Sequence, residues 1–140
     1  MQKTFGLIKP DVISRGIIKE VINNLIEMLK HVKGFKFQET GVTTMTEEEA
    51  KILYGEHQSK AFFKDMINFI ANKELVMIIM EGENIIDEYR KVMGATNPKD
   101  AIKDSLRGMF GISIDENSFH GSDSEISADR EINIFQYKFK

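Results

Sequence analysis

The chain has 140 residues, 41% of them apolar and 29% charged, with a net charge of −3 at pH 7. Such a length predicts one compact domain, residues 1–140, able to bury a majority of its surface without a disulfide or a structural metal. The absence of cysteine excludes a disulfide scaffold and a cysteine-ligated zinc, and the acidic balance argues against a broad nucleic-acid-binding face.

The first segment, KTFGLI (3–8), alternates and is β-rich, and Pro10 stops it. It lies in a start, MQKTFGLIKPD, that lacks the apolar core of a signal peptide. From Ile17 to Val32 apolar residues recur at helical spacing, with Gly34 as a stop. FKFQETGVTT (35–44) reads as a second strand. Thr46 and Glu49 form a capping box that opens a helix carrying Ala50, Leu53 and Tyr54. A further helix is expected over 60–71, with Phe62, Phe63, Met66, Ile67 and Ile70 as its apolar set. ELVMIIME (74–81) is apolar throughout, as a doubly covered central strand would be. It is too short to span a bilayer, so the chain reads as soluble and cytoplasmic, with no membrane partner. Residues 84–93 show a helical face, and 94–114 read as a long ordered loop with a short helix. Ser122 and Glu125 form a second capping box, predicting a helix near 123–130, and INIFQYKF (132–139) is expected to close the chain as a strand. Without the extra helices the order is βαββαβ. That is the plan of a ferredoxin-like sandwich, an α+β fold with a four-stranded antiparallel sheet and helices on one face.

Three histidines are available. His31 reads as a solvated residue at the end of a lysine-rich helix, and His57 as surface or packing. His120 stands in NSFHGSD (117–123), among small polar residues that offer an imidazole nothing to pack against. A lone histidine in a polar loop is more often structural than catalytic. Here Gly121 leaves room for an incoming group, Ser122 can hydrogen-bond a carboxylate, and Glu131, three helical turns on, could hold one ring nitrogen. Such a partner selects a tautomer and leaves the other nitrogen as nucleophile. Only four arginines occur, at 15, 90, 107 and 130. Arg90 and Arg107, with Lys9 at a strand end, are candidate phosphate ligands, since a guanidinium fork matches phosphate oxygens in pairs. Thr96 and Asn117 could add neutral hydrogen bonds. No Walker loop, kinase glycine loop or dinucleotide fingerprint is present, so a nucleotide would be held in some other way.

NSFHGSD matches, residue for residue, the active-site signature of the nucleoside diphosphate kinase family, and the chain resembles that family over nearly its whole length. LIKPD (7–11), HQSKAFF (57–63), EGEN (81–84), VMGATNP (92–98) and SLRGMFG (105–111) fall in the family's order at matching intervals. The resemblance implies a ping-pong enzyme in which a nucleoside triphosphate gives its γ-phosphate to His120 and a nucleoside diphosphate takes it away. It implies that Lys9, Tyr54, Arg90, Thr96, Arg107 and Asn117 surround the phosphates and sugar. Phe62 would stack on any base, and Glu131 and Ser122 would orient His120. It further implies Mg2+ carried by the nucleotide rather than by a protein cage, and a homo-oligomer, either a hexamer or a tetramer of dimers.

Some positions depart from the family pattern. EMLKHVKGF (27–35) is about two residues longer than usual, Lys60-Ala61 replace Arg-Pro, and Asn72-Lys73-Glu74 replace Ser-Gly-Pro. Lys103-Asp104-Ser105 replace Pro-Gly-Thr, and Met109 replaces an acidic residue. None of these removes a catalytic side chain. A catalytically idle nucleotide-binding protein would be expected to have lost one of Lys9, Arg90, Arg107, Asn117, His120 or Glu131, and all are present. A nucleic-acid-binding sheet face would need aromatic residues on the central strands, and LVMIIM has none.

Overall fold

A computed structural model of the chain describes residues 1–55, 59, 61–112 and 118–139; His57 and Asn117 lie outside them. Strand β1 (Gln2–Ile8) pairs along its length with β3 (Leu75–Gly82), from Gln2 opposite Gly82 to Ile8 opposite Val76. On its other edge β1 pairs with the short β4 (Phe119–Gly121). Strand β2 (Lys36–Thr43) flanks β3, with a register shift between Glu39 and Val42 where Gly41 takes φ +77°. The sheet order is β2-β3-β1-β4 and every pair is antiparallel, the ferredoxin-like arrangement expected.

The two central strands are apolar on both sides because both faces are covered, and here the expectation of helices on one face is corrected. Ile8, Val76, Ile78 and Met80 face a core closed by α2 (Ile18–Leu29) and α5 (Ile85–Met93). Phe5, Leu7, Leu75 and Met77 face another, closed by α3 (Glu47–Leu53), α4 (Phe63–Ile70) and α7 (Glu125–Phe135). One-sided cover would leave that second row in water. A helix not anticipated, α1 (Pro10–Ser14), follows β1 directly. Pro10 suits its first turn, where a missing N–H costs nothing.

The larger correction is at the end of the chain. No strand forms over 132–139: α7 continues to Phe135 and a 3-10 turn spans Gln136–Lys138. Ala128, Glu131 and Phe135 are buried at helical spacing, and Phe135 stacks on Phe5 with ring centroids 5.1 Å apart. The β1 edge that a last strand would need is occupied by Phe119–Gly121. The cap of α7 is also displaced from the expected residue. Ser124 accepts from the Ser127 N–H at 3.2 Å, whereas Ser122 is fully buried and caps nothing. The Thr46–Glu49 capping box forms as read. The short helix of the long loop is α6 (Leu106–Phe110), opened by Ser105, whose side chain accepts from the Gly108 N–H.

Candidate active site

His120 is the middle residue of β4, opposite Leu7 of β1, and not part of a polar loop. Alternation along the strand turns its ring toward Phe5, at 6.3 Å between centroids, and toward Tyr54, which meets it edge-on at 5.7 Å. Its neighbour Gly121 must then face the other way. A Cβ there would lie 2.6 Å from Met93 Cε and 2.8 Å from Tyr89 Cε2. Gly121 therefore makes room for the core beneath α5, and the expectation that it clears space for substrate is corrected.

The end of α7 returns to the same place. Glu131 is 2% exposed, and its Oε1 lies 2.8 Å from His120 Nε2 and accepts from the Ser122 hydroxyl at 3.0 Å. The Ser122 oxygen in turn accepts from the Phe5 N–H at 3.3 Å, tying the arrangement to β1. With Nε2 engaged by a carboxylate, Nε2 carries the proton of the neutral ring and Nδ1 keeps the lone pair. The His120 side chain is 15% exposed, enough to be approached from one side. Burial first, and then the nearby Glu131 charge, push the Tyr54 phenol well above its ordinary value, so it stays neutral beside the ring.

Three basic residues bond to β4 or to residues flanking it. Lys9, almost buried, begins α1, and its backbone N–H donates to the Ser118 carbonyl at 2.8 Å. Arg107 is 8% exposed and donates to the carbonyls of Gly94 (3.0 Å) and Phe119 (2.9 Å). Its Nε is buried with no hydrogen-bond partner among the described residues. Burial, with the Arg90 charge adding to it, depresses the Arg107 pKa, but a guanidinium remains charged regardless. A buried arginine whose hydrogen bonds go to carbonyls is a positive centre suited to an anion. Arg90 pairs with Asp123 at 2.6 Å, both about half exposed. Thr96 and Phe62 are exposed, on the loop after α5 and at the N-cap of α4. Asn117 lies outside the described residues.

A buried cluster that sequence reasoning missed holds the approach to β4. Asp11 Oδ2 accepts from Ser118 Oγ at 2.6 Å and from Arg15 Nη2 at 3.3 Å, and Arg15 also donates to the Phe110 carbonyl. Ser118 takes φ +75°, rare outside glycine. The i,i+4 spacing of Asp11 and Arg15 was visible in the sequence, but their meeting with Ser118, 107 residues from Asp11, was not.

Among the described residues no group of three or more His, Cys, Asp or Glu side chains could hold a metal ion, and none of their helices is long and apolar enough to cross a membrane. The model of the family described as nucleoside diphosphate kinase matches residues 2–140. The chain belongs to the nucleoside diphosphate kinase family. A nucleoside diphosphate kinase of Halalkalibacterium halodurans is 41% identical over 135 residues, covering 96% of this chain and 88% of the relative. One of Haemophilus ducreyi is 42% identical, covering 96% and 94%. The nucleoside diphosphate kinase of Aquifex aeolicus superposes with a TM-score of 0.86 at 28% identity over 96% of this chain and 94% of its own. The Halobacterium salinarum enzyme in complex with CDP gives 0.82 at 32% identity over 99% and 91%. As a member of the nucleoside diphosphate kinase family the chain is a phosphotransferase acting on nucleotides, as its sequence led us to expect.

Proposed function

We propose that His120 is the residue that carries the phosphoryl group, through Nδ1. The observation that carries this reading is the 2.8 Å contact of Nε2 with Glu131, which leaves Nδ1 as the nucleophilic nitrogen on a ring open from one side. In the first half-reaction Nδ1 attacks the γ-phosphorus of a nucleoside triphosphate. The N–P bond forms as the bond to the β–γ bridging oxygen breaks, and the diphosphate leaves. In the second, a terminal oxygen of another nucleoside diphosphate attacks the same phosphorus and the N–P bond breaks. The ring gains positive character when phosphorylated, and the Glu131 carboxylate, anchored by Ser122, offsets it. Phosphoryl transfer asks for positioning and charge neutralisation more than covalent help. Lys9, Arg90 and Arg107 supply the charge, and on this reading Asn117, Thr96 and Tyr54 add neutral hydrogen bonds to phosphate and sugar. Phe62, being exposed, can stack on any base, a contact worth about 1–3 kcal/mol and indifferent to base identity.

Magnesium, arriving with the nucleotide, would supply charge neutralisation to its phosphates. The residues present fit an ion that arrives with its nucleotide, because Glu131 is committed to His120 and Ser122, and Asp123 to Arg90. We further propose that 1–140 acts as one domain in the cytoplasm and assembles as a homo-oligomer, a hexamer or a tetramer of dimers.

The test is to incubate the pure protein with γ-labelled ATP and magnesium, then chase with GDP. Label on the protein that survives base but not acid, moves to GDP and is absent in His120→Ala is the expected result. Nucleotide binding with no protein label would overturn the reading in favour of an idle nucleotide-binding protein.

A further inference from the structure

The backbone of His120 is held from the face opposite its ring, by Tyr89 of α5. Tyr89 is fully buried and its hydroxyl donates to the His120 carbonyl at 2.8 Å. The sheet makes a slot for it from two glycines that pair across β1 and β4, Gly6 opposite Gly121. A Cβ at Gly6 would lie 2.9 Å from the Tyr89 hydroxyl and 3.0 Å from the His120 carbonyl oxygen. One at Gly121 would lie 2.8 and 2.9 Å from the edge of the phenol ring. Both glycines are thus emptied of side chain at the two places where the phenol lies on the sheet. Neither of these two takes a positive φ, so conformational freedom does not account for them. Space for Tyr89 does, together with space for Ile78 Cγ1, at 2.9 Å from the Gly6 position, and for Met93 Cε, at 2.6 Å from that of Gly121.

We infer that Tyr89 is a positioning residue for phosphoryl transfer, its hydroxyl fixing the backbone of His120 through a slot that Gly6 and Gly121 leave open. The inference rests on His120 being the phosphoryl carrier. Strand β4 is three residues long and pairs with β1 alone, so its own ladder gives His120 little hold. The ring is oriented from one face by Glu131, and the main chain is fastened from the other by Tyr89. Burial pushes the Tyr89 phenol well above its ordinary value, so the donor persists wherever the protein is folded. No atom of Tyr89 need touch nucleotide.

Tyr89→Phe removes the hydroxyl and keeps the ring. It is expected to lower kcat about tenfold with KM for both nucleotides unchanged, short of the hundredfold that a 1 Å misplacement of a reacting group can cost. Amide hydrogen exchange at Phe119–Gly121 should rise about tenfold while β3 stays protected. Gly6→Ala should lower kcat with the wild-type Tyr89. In the double variant with Tyr89→Phe part of that loss should return, because one of the three close contacts of the added methyl, that with the hydroxyl, is gone while those with Ile78 and the His120 carbonyl remain. Should kcat in Tyr89→Phe stay within twofold, with exchange at β4 unaltered, the inference is overturned and the kinase reading stands. If wild-type protein forms no phosphohistidine, the kinase reading fails instead. Exchange at β4 in the two single variants then shows whether Tyr89 fastens the strand.

Discussion

At the scale of the residue, the site is built on the hydrogen bonds that tie Glu131 to His120 and Ser122, and Ser122 to Phe5. Glu131 is the most sensitive member after His120. A hydrogen bond to a charged group is worth about 1.5–3 kcal/mol, so Glu131→Gln should slow transfer about 10- to 150-fold in single-turnover kinetics with nucleotide affinity preserved. Arg107 makes a different prediction. Its charge is buried without a carboxylate among its hydrogen-bond partners, and a bound phosphate would supply the missing anion. ADP should therefore raise the melting temperature of the wild type through mass action, and that rise should vanish in Arg107→Met. A variant that still gained the full ligand-induced shift would remove Arg107 from the phosphate site. Of the residues named from sequence, His120 and Ser122 stood out because they sit within a short polar signature, whereas Glu131, beyond the helix expected near 123–130, was named only as a residue that could reach back to the ring. Tyr89 and Asp11 did not stand out, because Tyr89 reads as an ordinary helical residue and Asp11 as the end of a strand until a distant segment is folded against each.

At the scale of the element, α7 does two jobs from one cap. Ser124 accepts the Ser127 N–H at its start and Glu131 reaches His120 near its end. Losing a serine cap costs about 1 kcal/mol, which for a chain of this size lowers the melting temperature by roughly 4 °C. Ser124→Ala should show that loss in a thermal melt with only a small fall in activity. Ser122→Ala should do the reverse at the level of rate, because Ser122 caps nothing and instead anchors Glu131. The two serines look alike in the sequence, each followed three residues later by a residue compatible with a helix start. What separates them is burial: Ser122 lies under β1, hydrogen-bonded to Phe5 and Glu131. The same blindness explains the last strand that did not form. Ile132, Ile134, Phe135, Tyr137 and Phe139 favour a strand by composition, yet Phe135 is buried as a helical residue against Phe5. The strand place at β1 is held by residues preceding α7.

At the scale of the whole molecule, the buried Asp11 cluster joins α1, the end of α6 and the residue that leads into β4. Burial pushes the Asp11 carboxyl above its ordinary 3.8, with the Ser118 hydrogen bond and Arg15 pulling against it. For a group whose folded pKa is raised, its contribution to stability is fully present below the unfolded value and is lost as pH rises through the folded one. The stability of the wild type relative to Asp11→Asn should therefore decline as pH rises above about 4. Urea unfolding of both proteins at pH 4 and pH 7 measures it, and a difference independent of pH would show that Asp11 titrates as it does in the unfolded chain.

The sequence by itself determined the central strands and the helices with a clear apolar face, such as α2 and α5, since periodicity and apolar runs are local and survive in any correct fold. It also carried the class of reaction, because NSFHGSD matches the signature of the nucleoside diphosphate kinase family to which the chain belongs. Only the tertiary structure decided which segment takes the fourth place in the sheet, which face Gly121 serves and what holds His120 from behind. Those outcomes depend on competition between segments far apart in the chain for one strand edge and one buried slot, and no local pattern records which of them wins.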